Sequence, residues 1–185
     1  SYISGSVSVE DHDIMIVDLE YLTADILPDL AEISDHTQLE KRGTKTEREQ
    51  VRILFAEDST FIRKVTVKKL AKTGYKQIEE ATDGQEAYDR IAELKKAAED
   101  EGKSLTEYYD VILTDIEMPK MDGLTLCKRV KTDLHIDEVP VVLYSSLMSR
   151  EMELKAQTVN ADACLTKPKV EEIVDCLDDI ILHRK

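Results

Sequence analysis

The chain has 185 residues, 42% hydrophobic and 35% charged, a balance that supports a folded core and excludes a wholly disordered chain. Acids outnumber Lys and Arg by 39 to 25, and the resulting formal charge of -14 repels polyanions, so nucleic acid is not an expected partner. No apolar run reaches the ~18 residues of a spanning helix and no charged-then-apolar leader is visible, so neither membrane insertion nor secretion is expected.

The length predicts one domain plus a remainder. Cys127, Cys164 and Cys176 are an odd set without metal-site spacing, which reads as reduced thiols and a cytoplasmic setting. The chain opens on Ser1 rather than Met, which implies processing or trimming. The first forty residues hold ten acids and no Lys or Arg. Within them Asp13–Asp18 reads as a strand, and Leu19–Leu27 shows helical spacing closed by Pro28. One strand and one short helix cannot bury their own apolar faces, so residues 1–35 read as an extension or the remnant of a larger domain. An orphaned apolar strand of this kind carries a hazard of pairing with a second copy, and a homodimer is one expectation. Residues 36–50 are polar, with Gly43 and three threonines, and read as a linker or exposed helix.

From Val51 onward the pattern is regular. Strands are expected at Val51–Ala56, Ile78–Ala81, Val111–Leu113, Pro140–Tyr144 and Ala163–Leu165. Helices are expected at Ser59–Thr73, Gln85–Ala98, Leu124–Lys131, Arg150–Val159 and Val170–Leu182. Short apolar strands alternating with helices predict an α/β fold over 51–185, a five-stranded parallel sheet covered on both faces.

In such a sheet ligands sit beyond the carboxyl ends of the strands. Those ends are Glu57-Asp58, Thr114-Asp115, Ser145-Ser146 and Thr166-Lys167-Pro168. Three carboxylates, a hydroxyl and a lysine would converge on one edge, and their repulsion calls for a hard cation such as Mg²⁺. That set suits phosphoryl transfer, in which a carboxylate can itself be the nucleophile. Each residue alone has a plainer reading: Asp58 as a helix cap, Asp122 as a turn or cap, Lys167 as a surface lysine, Ser145 as a partner for a nearby backbone group. Their joint arrival at successive strand ends is what carries the chemistry.

With Ile53-Leu54-Phe55-Ala56-Glu57-Asp58-Ser59, Leu113-Thr114-Asp115-Ile116-Glu117-Met118-Pro119, Met121-Asp122-Gly123, Pro140–Ser146 and Leu165-Thr166-Lys167-Pro168, the chain resembles the CheY-like receiver domain of two-component response regulators. The resemblance implies the flavodoxin-like, doubly wound strand order. It also implies that Asp115 accepts a phosphoryl group from a histidine kinase, with Lys167 and Ser145 contacting that group. Mg²⁺ would then be held by Asp58, Asp115 and the Glu117 carbonyl, with Glu57 acting directly or through water. Enzymatic turnover beyond self-phosphorylation and slow autodephosphorylation is not implied.

The sequence departs from the family pattern in three ways. Glu57 stands where Asp is usual, Cys164 occupies the place of the switch aromatic, and Gly102–Tyr109 lengthens the link into the third strand. Ser104-Leu105-Thr106-Glu107 there matches a capping box for an extra turn, and a surface insertion is the favoured reading over a partner site. The front segment, Ile3–Ser6 through Asp13–Glu20, resembles the last strands and helix of a CheW-like coupling domain. A CheW-like domain followed by a receiver is the layout of the CheV chemotaxis coupling proteins, which implies a CheA-type kinase and the chemoreceptor array as partners. Two alternatives stay open: a separate CheY-like regulator with an unrelated extension, and an Asp-nucleophile, Mg²⁺-dependent phosphohydrolase using Glu117 as its second acid.

Overall fold

The computed structural model describes residues 3–9, 12–17, 44–146, 149–167 and 170–182. The helix expected at Leu19–Leu27 lies outside them. The chain divides into two units, Ser1–His36 and Thr37–Lys185. In the first, β1 (Ile3–Val9) pairs antiparallel with β2 (His12–Val17), Val9 opposite His12. The strand expected near Asp13 is therefore one half of a hairpin. Its partner shows period-2 alternation of Ile3, Gly5, Val7 and Val9 with Ser4, Ser6 and Ser8, a strand signal among small residues.

The second unit starts earlier than the periodicity suggests. Within the stretch expected as linker, α1 (Lys45–Arg48) is closed by a capping box in which the Thr44 side chain accepts from the Glu47 amide and the Glu47 carboxylate accepts from the Thr44 amide. Four residues are too few to hold a helix by themselves. Tertiary contacts do so: Arg48 is buried, and the Lys45 carbonyl sits against Gly74, where an added Cβ would lie 3.0 Å from that oxygen. Gly74 also ends the following helix in the left-handed region, at φ 114°, a conformation that costs glycine little.

Then follow β3 (Arg52–Ala56), α2 (Thr60–Thr73), β4 (Gln77–Ala81), α3 (Gly84–Asp100), β5 (Val111–Asp115), α4 (Gly123–Thr132), β6 (Val141–Ser145), α5 (Arg150–Thr158), β7 (Ala163–Thr166) and α6 (Val170–Leu177), which runs into a π-helical turn, Asp178–Leu182. All five strands of this sheet are parallel, in the order β4-β3-β5-β6-β7, the doubly wound order expected. Ser59, Asp83, Asp122 and Ser149 each cap a helix with a side-chain oxygen.

Buried strands keep the period of two even where they read as continuous apolar runs. Ile53 and Phe55 of β3 join Val111, Leu113, Val142 and Tyr144 on the face covered by α2 and α6. Leu54 and Ala56 join Ile112, Val141 and Leu143 on the face covered by α3, α4 and α5. The edge strand β4 is mostly exposed, and its glutamates are paired: Glu79 with Arg90 at 2.8 Å and Glu80 with Arg63 at 3.1 Å.

The insertion lies at the surface along Gly102–Ser104 and at Glu107, but it is anchored in the core. Leu105 and Tyr109 are buried in the core beside α3, and Leu105 opens a 3₁₀ turn, Leu105–Glu107, where the capping signal falls. Tyr109 donates to Glu79 at 2.6 Å, and Arg52 holds the Thr106 carbonyl at 2.7 Å and pairs with Asp110 at 3.0 Å. Two apolar anchors outweigh the polarity of the residues around them.

Candidate functional site

Parallel strands that all end at one edge deliver their next residues to a common place. Glu57 follows β3, Asp115 closes β5, Ser145 closes β6 and Lys167 follows β7. Glu57, Asp115 and Ser145 are buried, whereas Asp58 is exposed. Ligand oxygens of Glu57, Asp58 and Asp115 come within 4.8 Å of one another. Lys167 Nζ lies 2.7 Å from Glu57 Oε2 and 2.8 Å from Asp115 Oδ2, bridging the two buried acids. The Lys167 amide donates to the Ser145 carbonyl at 2.8 Å, which ties the end of β7 to β6. The candidate acids, hydroxyl and lysine are thus brought together.

Glu117 sits on the loop after β5. Its amide donates to Asp115 Oδ1 at 3.3 Å, and its carboxylate accepts from Ser145 Oγ at 3.2 Å. Sequence reasoning gave the backbone of Glu117 a role in binding metal; the carboxylate contact with Ser145 is an addition.

Burial is the largest influence on both inner acids and raises their pKa values. Lys167 opposes this for each, while Glu57 also feels the Asp115 charge and Asp115 the Glu117 charge. Glu57 Oε2 is buried, and the Lys167 ammonium 2.7 Å away is what offsets its charge. Two buried carboxylates that share one lysine, with an exposed third beside them, fit a small divalent cation with oxygen ligands and retained waters.

The Tyr144 ring lies beside the site, its centroid 5.4 Å from Lys167 Nζ. Burial pushes its hydroxyl up to about 12. An aromatic in an apolar strand reads as core, and nothing in the sequence distinguishes a ring that also flanks the lysine. Cys164 is half-buried and packs on the opposite face of the sheet.

A carboxyl whose pKa is higher in the folded state stabilises the protein at acid pH and loses that contribution as pH rises through the folded value. In chelator, Asp115→Asn is therefore expected to gain stability relative to wild type as pH climbs from the ordinary carboxylate range to neutrality. Magnesium should narrow the gap. Thermal melts across that pH range check this, and a gap independent of pH would show that Asp115 is not destabilised by burial.

Residues 53–178 match the family described as the response regulator receiver domain. The chain belongs to that family. The chain is 31% identical over 180 residues to the chemotaxis protein CheV3 of Helicobacter pylori, covering 97% of this chain and 55% of that protein. It is 34% identical over 131 residues to the gliding motility regulatory protein of Myxococcus xanthus, covering 70% of this chain and 15% of that one. The chain thus spans about half of one curated relative and a small part of the other. Among solved structures, a Francisella response regulator receiver domain superposes with a TM-score of 0.60 at 28% identity, over 74% of this chain and all of that one. This is a receiver domain homologous to chemotaxis regulators, and no helix among the described residues is long and apolar enough to cross a membrane.

Proposed function

We propose that this receiver is phosphorylated on Asp115 by a CheA-type histidine kinase, as the signal-accepting part of a CheV-type coupling protein that works at a chemoreceptor array in the cytoplasm. The observation that carries the phosphoacceptor reading is the bridge of Lys167 between Glu57 and Asp115 at the carboxyl edge of the sheet. It keeps the nucleophile's second oxygen beside a cation that can follow the incoming phosphoryl group.

In the transfer, an Asp115 oxygen forms the new O–P bond as the P–N bond to the kinase imidazole breaks, and the imidazole keeps that electron pair. Lys167 exchanges one of its carboxylates for a phosphoryl oxygen, and Ser145 turns its hydroxyl from Glu117 to another. Glu57, Asp58 and Asp115, with the Glu117 carbonyl, would hold Mg²⁺. Bound there, the ion would neutralise charge on the phosphoryl oxygens.

The coupling reading rests on the extent of one match. Likeness to CheV3 runs over 97% of this chain, whereas the receiver family begins at residue 53, so the front segment shares in it. The phosphohydrolase alternative has no support of this kind, since the family matched is the receiver.

Intact mass after mixing with acetyl phosphate and Mg²⁺ tests the nucleophile. One added phosphoryl group is expected in wild type and none in Asp115→Asn or in chelator. Addition to the Asp115→Asn variant, or no addition anywhere, would end this reading.

A further inference from the structure

The chain entering the receiver is fastened at the end of the domain opposite the site. Arg48 donates from Nε and Nη2 to the two oxygens of Asp178, at 3.0 and 2.6 Å, and from Nη1 to the Thr73 carbonyl at 3.0 Å. Tyr75 donates its hydroxyl to Asp178 at 2.6 Å. All three side chains are buried, and burial together with the Asp178 carboxylate raises the Tyr75 pKa, so the hydroxyl keeps its proton.

Thr73 is the last residue of α2, and Asp178 follows the last residue of α6. Both helices begin at the acidic site, α2 behind Glu57-Asp58 and α6 just beyond Lys167. The 14 residues of α2 span about 20 Å, so Arg48 grips the far ends of two rods whose near ends carry site residues. Both pack on the sheet face that holds Tyr144, the ring beside Lys167. The opposite face offers only Cys164 at the place of the family's moving aromatic.

We propose that the Arg48–Asp178–Tyr75 cluster is an output joint, through which occupancy of Asp115 is reported to the chain on the N-terminal side of the receiver. This rests on the phosphoacceptor reading above. In the resting arrangement the joint is fully made, with both carboxylate oxygens of Asp178 engaged. When Lys167 follows a phosphoryl group, β7 and α6 shift with it, and any displacement of Asp178 lengthens bonds already at their best distance. Occupancy of the site therefore loosens residues 44–50.

Hydrogen exchange read by mass spectrometry on the full chain, with and without beryllofluoride and Mg²⁺, tests this. Peptides around Asp115 should become protected, while amides of residues 44–50 exchange several-fold faster. In Asp178→Asn those amides should be fast in both states while protection around Asp115 persists. Arg48→Lys keeps the charge but not the two-pronged contact and serves if Asp178→Asn does not fold; it should show a diminished response. Protection at Asp115 with unchanged or slower exchange at 44–50 overturns the joint but not the phosphoacceptor. No protection at Asp115 overturns both.

Discussion

Gly123→Ala is expected to destabilise the receiver by upwards of about 3 kcal/mol and to abolish phosphoryl uptake. A Cβ built on Gly123 lies 2.0 Å from the Asp115 carbonyl oxygen and 2.9 Å from its carbonyl carbon, and neither atom is the movable end of a side chain. The Gly123 amide donates to the Ile116 carbonyl at 3.0 Å, so the loop after β5 folds back tightly on the strand that carries the nucleophile. Alanine at the start of α4 gains at most about 1 kcal/mol of helix propensity, well short of the steric cost. The backbone of Asp115 has to move, and the carboxylate leaves its place beside Lys167. Urea unfolding with intact mass after acetyl phosphate checks both parts. A variant that melts and labels like wild type would mean that the loop yields freely.

The second large effect is at Arg48. Arg48→Met leaves Asp178 buried with one hydroxyl to satisfy it and is expected to cost about 3–5 kcal/mol, as for other broken buried pairs. Pairing it with Asp178→Leu should recover part of the loss, because the stranded charge is removed while the buried Tyr75 hydroxyl loses its acceptor. Denaturant unfolding of the single and double variants measures the coupling. A loss below about 1 kcal/mol for Arg48→Met, the scale of surface pairs, would place Arg48 in water.

These two positions mark what the sequence showed and what it hid. The sheet and the acidic edge were legible because each site residue directly follows an apolar run, and chain order places such residues together in a parallel sheet. Asp122 read correctly as a cap. Arg48 did not reveal itself, being a basic residue in a polar stretch whose partner is 130 positions away. Two local signals exist in hindsight: Thr44-Lys45-Thr46-Glu47 is a capping box, and Asp178 falls on the helical stripe of Val170, Ile173, Val174, Leu177 and Ile181. An acid on an apolar stripe asks for a buried cation. The insertion misled in the opposite sense, since Gly102, Lys103 and Ser104 advertise a surface loop while Leu105 and Tyr109 are core. The Ser145–Glu117 contact was invisible because it depends on the path of a loop rather than on any spacing.

The outer strand β4 bears on how copies of this protein meet. An open strand edge is a template onto which another chain can add. Here that edge displays adjacent glutamates, each held in place by an arginine from a neighbouring helix. A second strand laid alongside would have to bring its own side chains past two anchored anions. The pairs thus guard the border of the sheet against sideways growth without touching the core beneath it.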